Sequence, residues 1–260
     1  MAAELRFPAI QAHRGASGRA PENTLAAFRE AIRLGADGLE TDLQGTRDGA
    51  VVVIHDDLLD RTTDRRGRVT DLTLTEIRGA DAGAKFGPQF RGERVPTLEE
   101  VIALVRAEAG PGFRLNLEIK FGEGREGVPV DIEERVLAVL RGAGFVERVW
   151  VQSFHHPSLA AMKALEPRIQ TGLLVGHRNL PRDPVARVRQ YRADYYAPAC
   201  QLLSPELVAH LHTEGIPIVT WTVNDPAAAR RLIDMGIGAL PGDAIISDWP
   251  ERLLPLRSAR

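Results

Sequence analysis

Residues Ala12 to Asp57 run AHRGASGRAPENTLAAFREAIRLGADGLETDLQGTRDGAVVVIHDD. Two histidines each close an apolar run: His13 follows Pro8-Ala9-Ile10, and His55 follows Val51-Val52-Val53-Ile54. Between them Gly38-Leu39-Glu40-Thr41-Asp42-Leu43 alternates with period two, which predicts a strand. Residues two apart on a strand share a face, so Glu40 and Asp42 project together. Two carboxylates held side by side repel one another and desolvate poorly unless a cation lies between them. The stretch therefore predicts a hard-cation site flanked by an imidazole pair and Arg14.

Outward from this stretch, strand and helix signals alternate. Pro8 to Ala12 is the first strand, and Asn23 or Thr24 caps a helix that Gly35 stops after Leu34. Gly38 to Leu43 and the β-branched run Val51 to Ile54 are strands around a Gly45/Gly49 turn. Asp57 to Arg94, rich in Arg, Asp, Thr and Gly, breaks the rhythm. It is expected to be an excursion of small elements over one face, without a core of its own. Thr97 then caps a helix through Leu104, with Glu100 placed for a capping box. Strands follow at Arg114 to Ile119, Arg148 to Gln152, Thr171 to Val175, Asp194 to Ala197, Ile216 to Val223 and Ala244 to Ile246. Helices lie between them at Ile132 to Leu140, Ser158 to Leu165, Pro184 to Tyr191, Pro205 to Gly215 and Pro226 to Met235. About eight strand–helix units argue for an α/β fold, a closed (β/α)8 TIM barrel, over an open doubly wound sheet. The expectation is a single domain over residues 1–260 with an insertion at roughly 57–95. His13, Glu40, Asp42, His55, Glu118, Lys120, Gln152, Trp221 and Asp248 all fall in or just after the C-terminal halves of these strands. That is the end where such barrels place their chemistry.

Composition narrows the function classes. A hydrophobic fraction of 44% and a charged fraction of 26% over 260 residues are those of a soluble globular chain. A net charge of −2 argues against a nucleic-acid partner, so an anionic substrate would be drawn in by local cations. The one cysteine, Cys200, excludes an intrachain disulfide and is expected to act as a buried small hydrophobe. The first residues, MAAELRFPAI, lack a basic segment followed by a long apolar run, and no uncharged apolar stretch reaches the about 18 residues of a membrane span. These features predict a cytoplasmic protein with no stable membrane association.

His13-Arg14-Gly15, Pro21-Glu22-Asn23-Thr24, Glu40-x-Asp42 and His55-Asp56 occur in this order within some forty-five residues. As a set they closely resemble the glycerophosphodiester phosphodiesterase family of the cytosolic bacterial type. Glu118-x-Lys120, Gln152-Ser153-Phe154 and Trp221-Thr222-Val223-Asn224 extend the resemblance towards the C-terminus. The resemblance implies that Glu40, Asp42 and Glu118 are metal ligands, and all-oxygen ligands select Mg²⁺ or Ca²⁺ over zinc. It implies that His13 and His55 are the general acid and base, in an order the residues leave open. Arg14 and Lys120 are implied to contact phosphate, and they also neutralise the carboxylates. Gln152, Phe154 and Trp221 are implied to line the substrate site, with the two aromatics forming an apolar wall beside the glycerol. For the aromatics, ordinary core packing is the alternative. Glu22 is expected to orient neighbours, and Asp248 is expected to support the site. Asn23 is balanced between that task and capping a helix. His155 and His156 match nothing and are expected at the surface. The pattern departs at Gly238 to Asp243, where extra residues precede the last strand, although Asp248-x-Pro250 is intact.

The implied reaction is metal-dependent hydrolysis of a small-molecule glycerophosphodiester, such as glycerophosphocholine or glycerophosphoethanolamine, to sn-glycerol 3-phosphate and an alcohol. The attacking group is water or the neighbouring glycerol hydroxyl. Three rivals use some of the same residues. One is a phospholipase-type lyase that releases a cyclic phosphate and needs an apolar rim, which the sequence does not show. Another is a non-catalytic glycerol-phosphate binder, disfavoured by retention of both histidines and all three acids. The third, a metal-dependent aldolase or isomerase, leaves the His13-Arg14 pair unexplained. Nothing in the sequence marks an oligomeric state.

Overall fold

The computed structural model describes residues 7–121 and 131–258. Strands β1 (Ala9–His13), β2 (Gly38–Gly45), β4 (Arg114–Ile119), β5 (Val149–Ser153), β6 (Gln170–Val175), β7 (Tyr195–Pro198), β8 (Val219–Thr220) and β9 (Ala244–Ser247) are parallel. Their order is β7-β6-β5-β4-β2-β1-β9-β8. Parallel bridges Tyr196↔Ile218 and Ala199↔Trp221 bring β8 back to β7, so the eight strands run nearly full circle. Helices α1 (Leu25–Leu34), α3 (Leu98–Glu108), α4 (Ile132–Gly142), α5 (His156–Leu165), α6 (Pro184–Gln190), α7 (Pro205–Thr213), α8 (Pro226–Asp234) and α9 (Pro250–Leu253) accompany them, with the short α2 (Leu74–Arg78) in the insertion. No described helix is long and apolar enough to cross a membrane.

Local signals place these elements. The Thr24 side chain caps α1 by accepting from the Ala27 N–H, and Gly35 closes it at φ 83°, a left-handed angle suited to glycine. The predicted capping box opens α3: the Thr97 side chain accepts from the Glu100 N–H, and Glu100 accepts from the Thr97 N–H. Period two then sorts each strand. Ile10 and Ala12 pack outward in the clusters beneath the helices, while Ala9 joins an inner group containing Trp150, Leu174, Tyr195, Ala197, Val219 and Ile246. At Gly172 a Cβ would stand 2.0 Å from the Tyr195 ring, so only glycine leaves room for that ring inside the barrel.

Three elements depart from expectation. The Val51 run is β3 (Val51–Val53), one residue shorter than expected, which pairs antiparallel with β2 across the Gly45/Gly49 turn and lies outside the barrel path. The Ile216 to Val223 strand shrinks to β8, because Pro217 has no N–H to pair and the Ile218 N–H is taken by the Asp243 side chain at 2.8 Å. The insertion has a small apolar cluster of its own, built from Leu59, Val69, Ile77, Ala80 and Val95 on Val52 and Ile54 of the hairpin. The extra residues before β9 also have a clear structural task. Asp243 is buried and accepts from the N–H groups of Ile218, Gly238 and Leu240, tying that loop to the start of β8.

Candidate active site

Parallel register sets the acids together. His13 aligns with Glu40 across β1 and β2, and Asp42 aligns with Glu118 across β2 and β4. Ligand oxygens of Glu40, Asp42 and Glu118 all lie within 4.8 Å of one another, and all three residues are buried. Lys120, two residues beyond Glu118 on the same face, puts Nζ 2.6 Å from Glu118 Oε1 and 3.1 Å from Asp42 Oδ1. Arg14 Nε stands 3.3 Å from Asp42 Oδ2.

Three buried carboxylates thus face two cations, and Asp42 and Glu40 are driven in opposite directions. Burial pushes Asp42 upward, but Lys120 and Arg14 outweigh it and hold the group well below the usual carboxylate range. Burial and the neighbouring Asp42 charge push Glu40 up to about 7. Lys120 is depressed by burial and raised on balance by Glu118 and Asp42. An all-oxygen, acid-rich pocket short of one positive charge fits a divalent hard cation.

Both histidines are tethered through Nδ1 to a carboxylate. His13 Nδ1 is 2.5 Å from Asp248 Oδ1, and His55 Nδ1 is 2.6 Å from Asp56 Oδ1. This leaves each Nε2 outside the carboxylate tether, and that of His13 lies 3.8 Å from Glu40 Oε2. Burial lowers the His13 pKa, but the Asp248 hydrogen bond and the Glu40 charge raise it overall. His55 is lowered by burial and by the Lys120 and Arg14 charges, against the pull of Asp42. The pair is therefore driven apart, with His13 the better proton holder. Asp248 is itself fixed by Ser17 and by Asn224 Nδ2 at 2.6 Å, and its carboxyl is held down to about 2 against the effect of burial.

The loop after β1 is shaped for this. Arg14 and Asn23 have φ values of 55° and 57°, left-handed angles that side chains rarely adopt and that cluster at functional sites. Gly15, at φ 82°, has no room for a Cβ, which would meet the Ala27 backbone at 2.7 Å. The Arg14 N–H donates to the Glu40 carbonyl at 2.8 Å, and the Asn23 N–H donates to the Arg14 carbonyl at 2.9 Å. Thr24, not Asn23, caps α1, which frees the Asn23 amide to donate to Asp42 Oδ2 at 2.8 Å and accept from Thr41. Glu22 accepts from Arg14 Nη1 at 2.9 Å.

Gln152 is buried and donates to Glu40 while accepting from Asn116, whose partners Gln11 and Tyr195 complete a polar layer below the acids. Nothing local in the sequence marks Gln11, Asn116 or Tyr195, since only barrel closure brings them together. Phe154 and Trp221 meet edge to face with centroids 5.6 Å apart, and the Trp221 indole N–H donates to Ala197. At 43% exposure Phe154 is no core residue. It lines both the small pocket around the acids and a wider groove of about 910 Å³ that runs past His55, Glu118, Lys120 and Phe121 to Leu58, Arg61 and Asn179. Leu58, 42% exposed, supplies part of an apolar rim that the sequence did not reveal. His156 is buried, not at the surface: a ring nitrogen bonds the Leu174 carbonyl at 2.9 Å and ties α5 to β6. His155 is half-buried and stacks on Phe121 at 4.1 Å. Cys200 is half-buried against the cluster beneath the helices, and burial raises its thiol.

Comparisons with known proteins give the chain's family and fold relatives. Residues 13–251 match the Glycerophosphoryl diester phosphodiesterase family. A glycerophosphodiester phosphodiesterase of Caldanaerobacter subterraneus subsp. tengcongensis is 41% identical over 95% of this chain and 96% of its own. One from Bacillus altitudinis is 35% identical over 95% and 97%. The structure of an Oleispira antarctica phosphodiesterase in complex with the product sn-glycerol-3-phosphate superposes with a TM-score of 0.83, at 31% identity and 96% coverage of both chains. With its barrel, its buried acids and its tethered histidines, this chain is an enzyme of the glycerophosphoryl diester phosphodiesterase family.

Proposed function

We propose that the enzyme hydrolyses glycerophosphodiesters of small alcohols, glycerophosphocholine and glycerophosphoethanolamine among them, to sn-glycerol 3-phosphate and the free alcohol. The observation that carries this is the pair of histidines, each bound at Nδ1 by a carboxylate, beside three buried acids and two cations. The product bound by the Oleispira antarctica relative supports the same substrate class.

Glu40, Asp42 and Glu118 would hold the cation, Mg²⁺ or Ca²⁺. When bound, the cation supplies positive charge to the phosphoryl oxygens as charge builds there. Arg14 and Lys120 draw the non-bridging oxygens by charge-assisted hydrogen bonds. One imidazole Nε2 takes the proton of the attacking group, water or the neighbouring glycerol hydroxyl, and the other gives a proton to the departing alkoxide; where the glycerol hydroxyl attacks, water then opens the cyclic phosphate to sn-glycerol 3-phosphate. Asp56 and Asp248 hold the rings in the tautomer that leaves Nε2 free. Gln152 and Asn23 pin Glu40 and Asp42, so the acids are placed before substrate arrives. Phe154 and Trp221 form the apolar wall beside the glycerol.

One observation favours a second reading. Leu58 and Phe154 give the groove an exposed apolar rim, which suits a phospholipase-type lyase that acts on a lipid and releases a cyclic phosphate. The test of the first reading is glycerol 3-phosphate release from glycerophosphocholine after EDTA treatment and re-addition of Mg²⁺ or Ca²⁺. Stripped protein is expected to be inactive, with turnover restored by one of the cations. Full activity in excess EDTA would contradict the cation role.

A further inference from the structure

Arg61 belongs to none of the motifs used above, yet it touches both sides of the site from the insertion. Its guanidinium forks onto Asp56, with Nε 2.6 Å from Oδ2 and Nη2 3.0 Å from Oδ1. It forks again onto Glu22, with Nη1 2.7 Å from Oε2 and Nη2 2.7 Å from Oε1. Asp56 is the carboxylate on His55 Nδ1, and Glu22 is the carboxylate on Arg14 Nη1. One side chain thereby completes a continuous line, His55–Asp56–Arg61–Glu22–Arg14–Asp42, from an imidazole to a buried acid.

We infer that Arg61 is a positioning residue for the phosphodiesterase reaction, fixing Asp56 against His55 and Glu22 against Arg14 so that imidazole and guanidinium meet the substrate phosphate correctly. This rests on the function proposed above. Among the described residues, the Asp56 carboxylate has only His55 and Arg61 as partners, so nothing else sets its orientation. Arg61's hydrogen bonds are the chief reason that Asp56 is held down to about 2, ionised wherever a histidine works. Glu22 is pushed up by burial but lies below its ordinary range on balance, because of Arg61 and Arg14. The arrangement needs two bidentate forks from one planar group, which a lysine cannot supply. A purely stabilising role is a poor explanation. Arg61 is 47% exposed, and exposed ion pairs contribute little to folding.

Arg61 also lines the wide groove, so the rival role is direct contact with the substrate's head group. The test measures kcat and KM of wild type, Arg61→Ala and Arg61→Lys on glycerophosphocholine, glycerophosphoethanolamine and glycerophosphoglycerol, with thermal melts of each protein. Arg61→Ala is expected to lose about 10- to 100-fold in kcat, by the same factor on all three substrates, with KM changed less than about threefold. Arg61→Lys is expected to recover part of the loss, since the charge returns without the forks. Unchanged kcat overturns the inference, and so does a loss confined to KM or one that differs among head groups. Should the melt show that Arg61→Ala is unfolded, Arg61→Gln, which keeps donors at similar reach, takes its place under the same criteria. An inactive wild type would instead refute the proposed function, whereas an active wild type with an equally active Arg61→Ala would refute only the role of Arg61.

Discussion

His13→Ala and His55→Ala are each expected to lower kcat by about 10²- to 10⁴-fold, the range that a positioned proton donor or acceptor contributes. Neither should unfold the protein. Without His13, Asp248 retains Ser17 and Asn224, and without His55, Asp56 retains the Arg61 fork. Melting curves and circular dichroism check this beside the kinetics, and an active His13→Ala protein would sink the scheme. The pH profile carries a second signature. His55 lies below its ordinary value, so the acid limb of kcat/KM falls where His55 gains a proton, below about pH 6.5. His13 lies above its ordinary value, so the alkaline limb falls where His13 loses its proton, above that pH. Between the two limbs the pair holds one protonated and one neutral ring, which gives a plateau broader than two unperturbed histidines would give.

Replacements within the acid cluster are expected to separate folding from activity. Asp42→Asn and Glu40→Gln should both abolish cation-dependent turnover, yet move stability in opposite directions. Asp42 is the counter-charge of buried Lys120 and Arg14, and removing one partner of a buried pair costs about 3–5 kcal/mol. Glu40 is the acid whose folded pKa is raised, from 4.5 to about 7. A raised carboxylate keeps its proton when folded, so its ionisation costs stability progressively as pH climbs from about 4.5 through 7. Glu40→Gln removes that cost, and in EDTA at pH 8 it should melt no lower than wild type. Added cation should raise the wild-type melting temperature more at pH 8 than at pH 6, where protons compete for Glu40. A Glu40→Gln protein that melts well below wild type in EDTA would show that Glu40 is held by favourable charge pairing instead.

Much of the candidate site is legible in the sequence because its acids and Lys120 lie on strands with local signatures. Glu40-x-Asp42 and Glu118-x-Lys120 need only period two to share a face, and the Thr97 capping box needs only three residues' spacing. What stayed hidden depends on distant pairing. The β-branched Val51 run looks the same in a hairpin as in a barrel strand, and β8 is cut short by an Asp243 side chain twenty-five residues away from Ile218. His156 gave no hint of burial, because its partner, the Leu174 carbonyl, belongs to the next strand. Sequence alone suits Asn23 equally to a cap or to the site; in the fold Thr24 accepts from the Ala27 N–H and Asn23 donates to Asp42. Arg61 sits in an Arg- and Asp-rich insertion where one more arginine carries no signal. Asn224 ends the Trp221-Thr222-Val223-Asn224 motif, but only the fold sets it against Asp248.

The most direct test of the proposed reaction is ³¹P NMR of glycerophosphocholine incubated with purified protein and Mg²⁺ or Ca²⁺. The expected outcome is loss of the diester resonance and growth of sn-glycerol 3-phosphate as the final product, abolished in His13→Ala. A cyclic glycerophosphate that accumulates as the end product, or a diester left untouched by folded, cation-loaded protein, would contradict it.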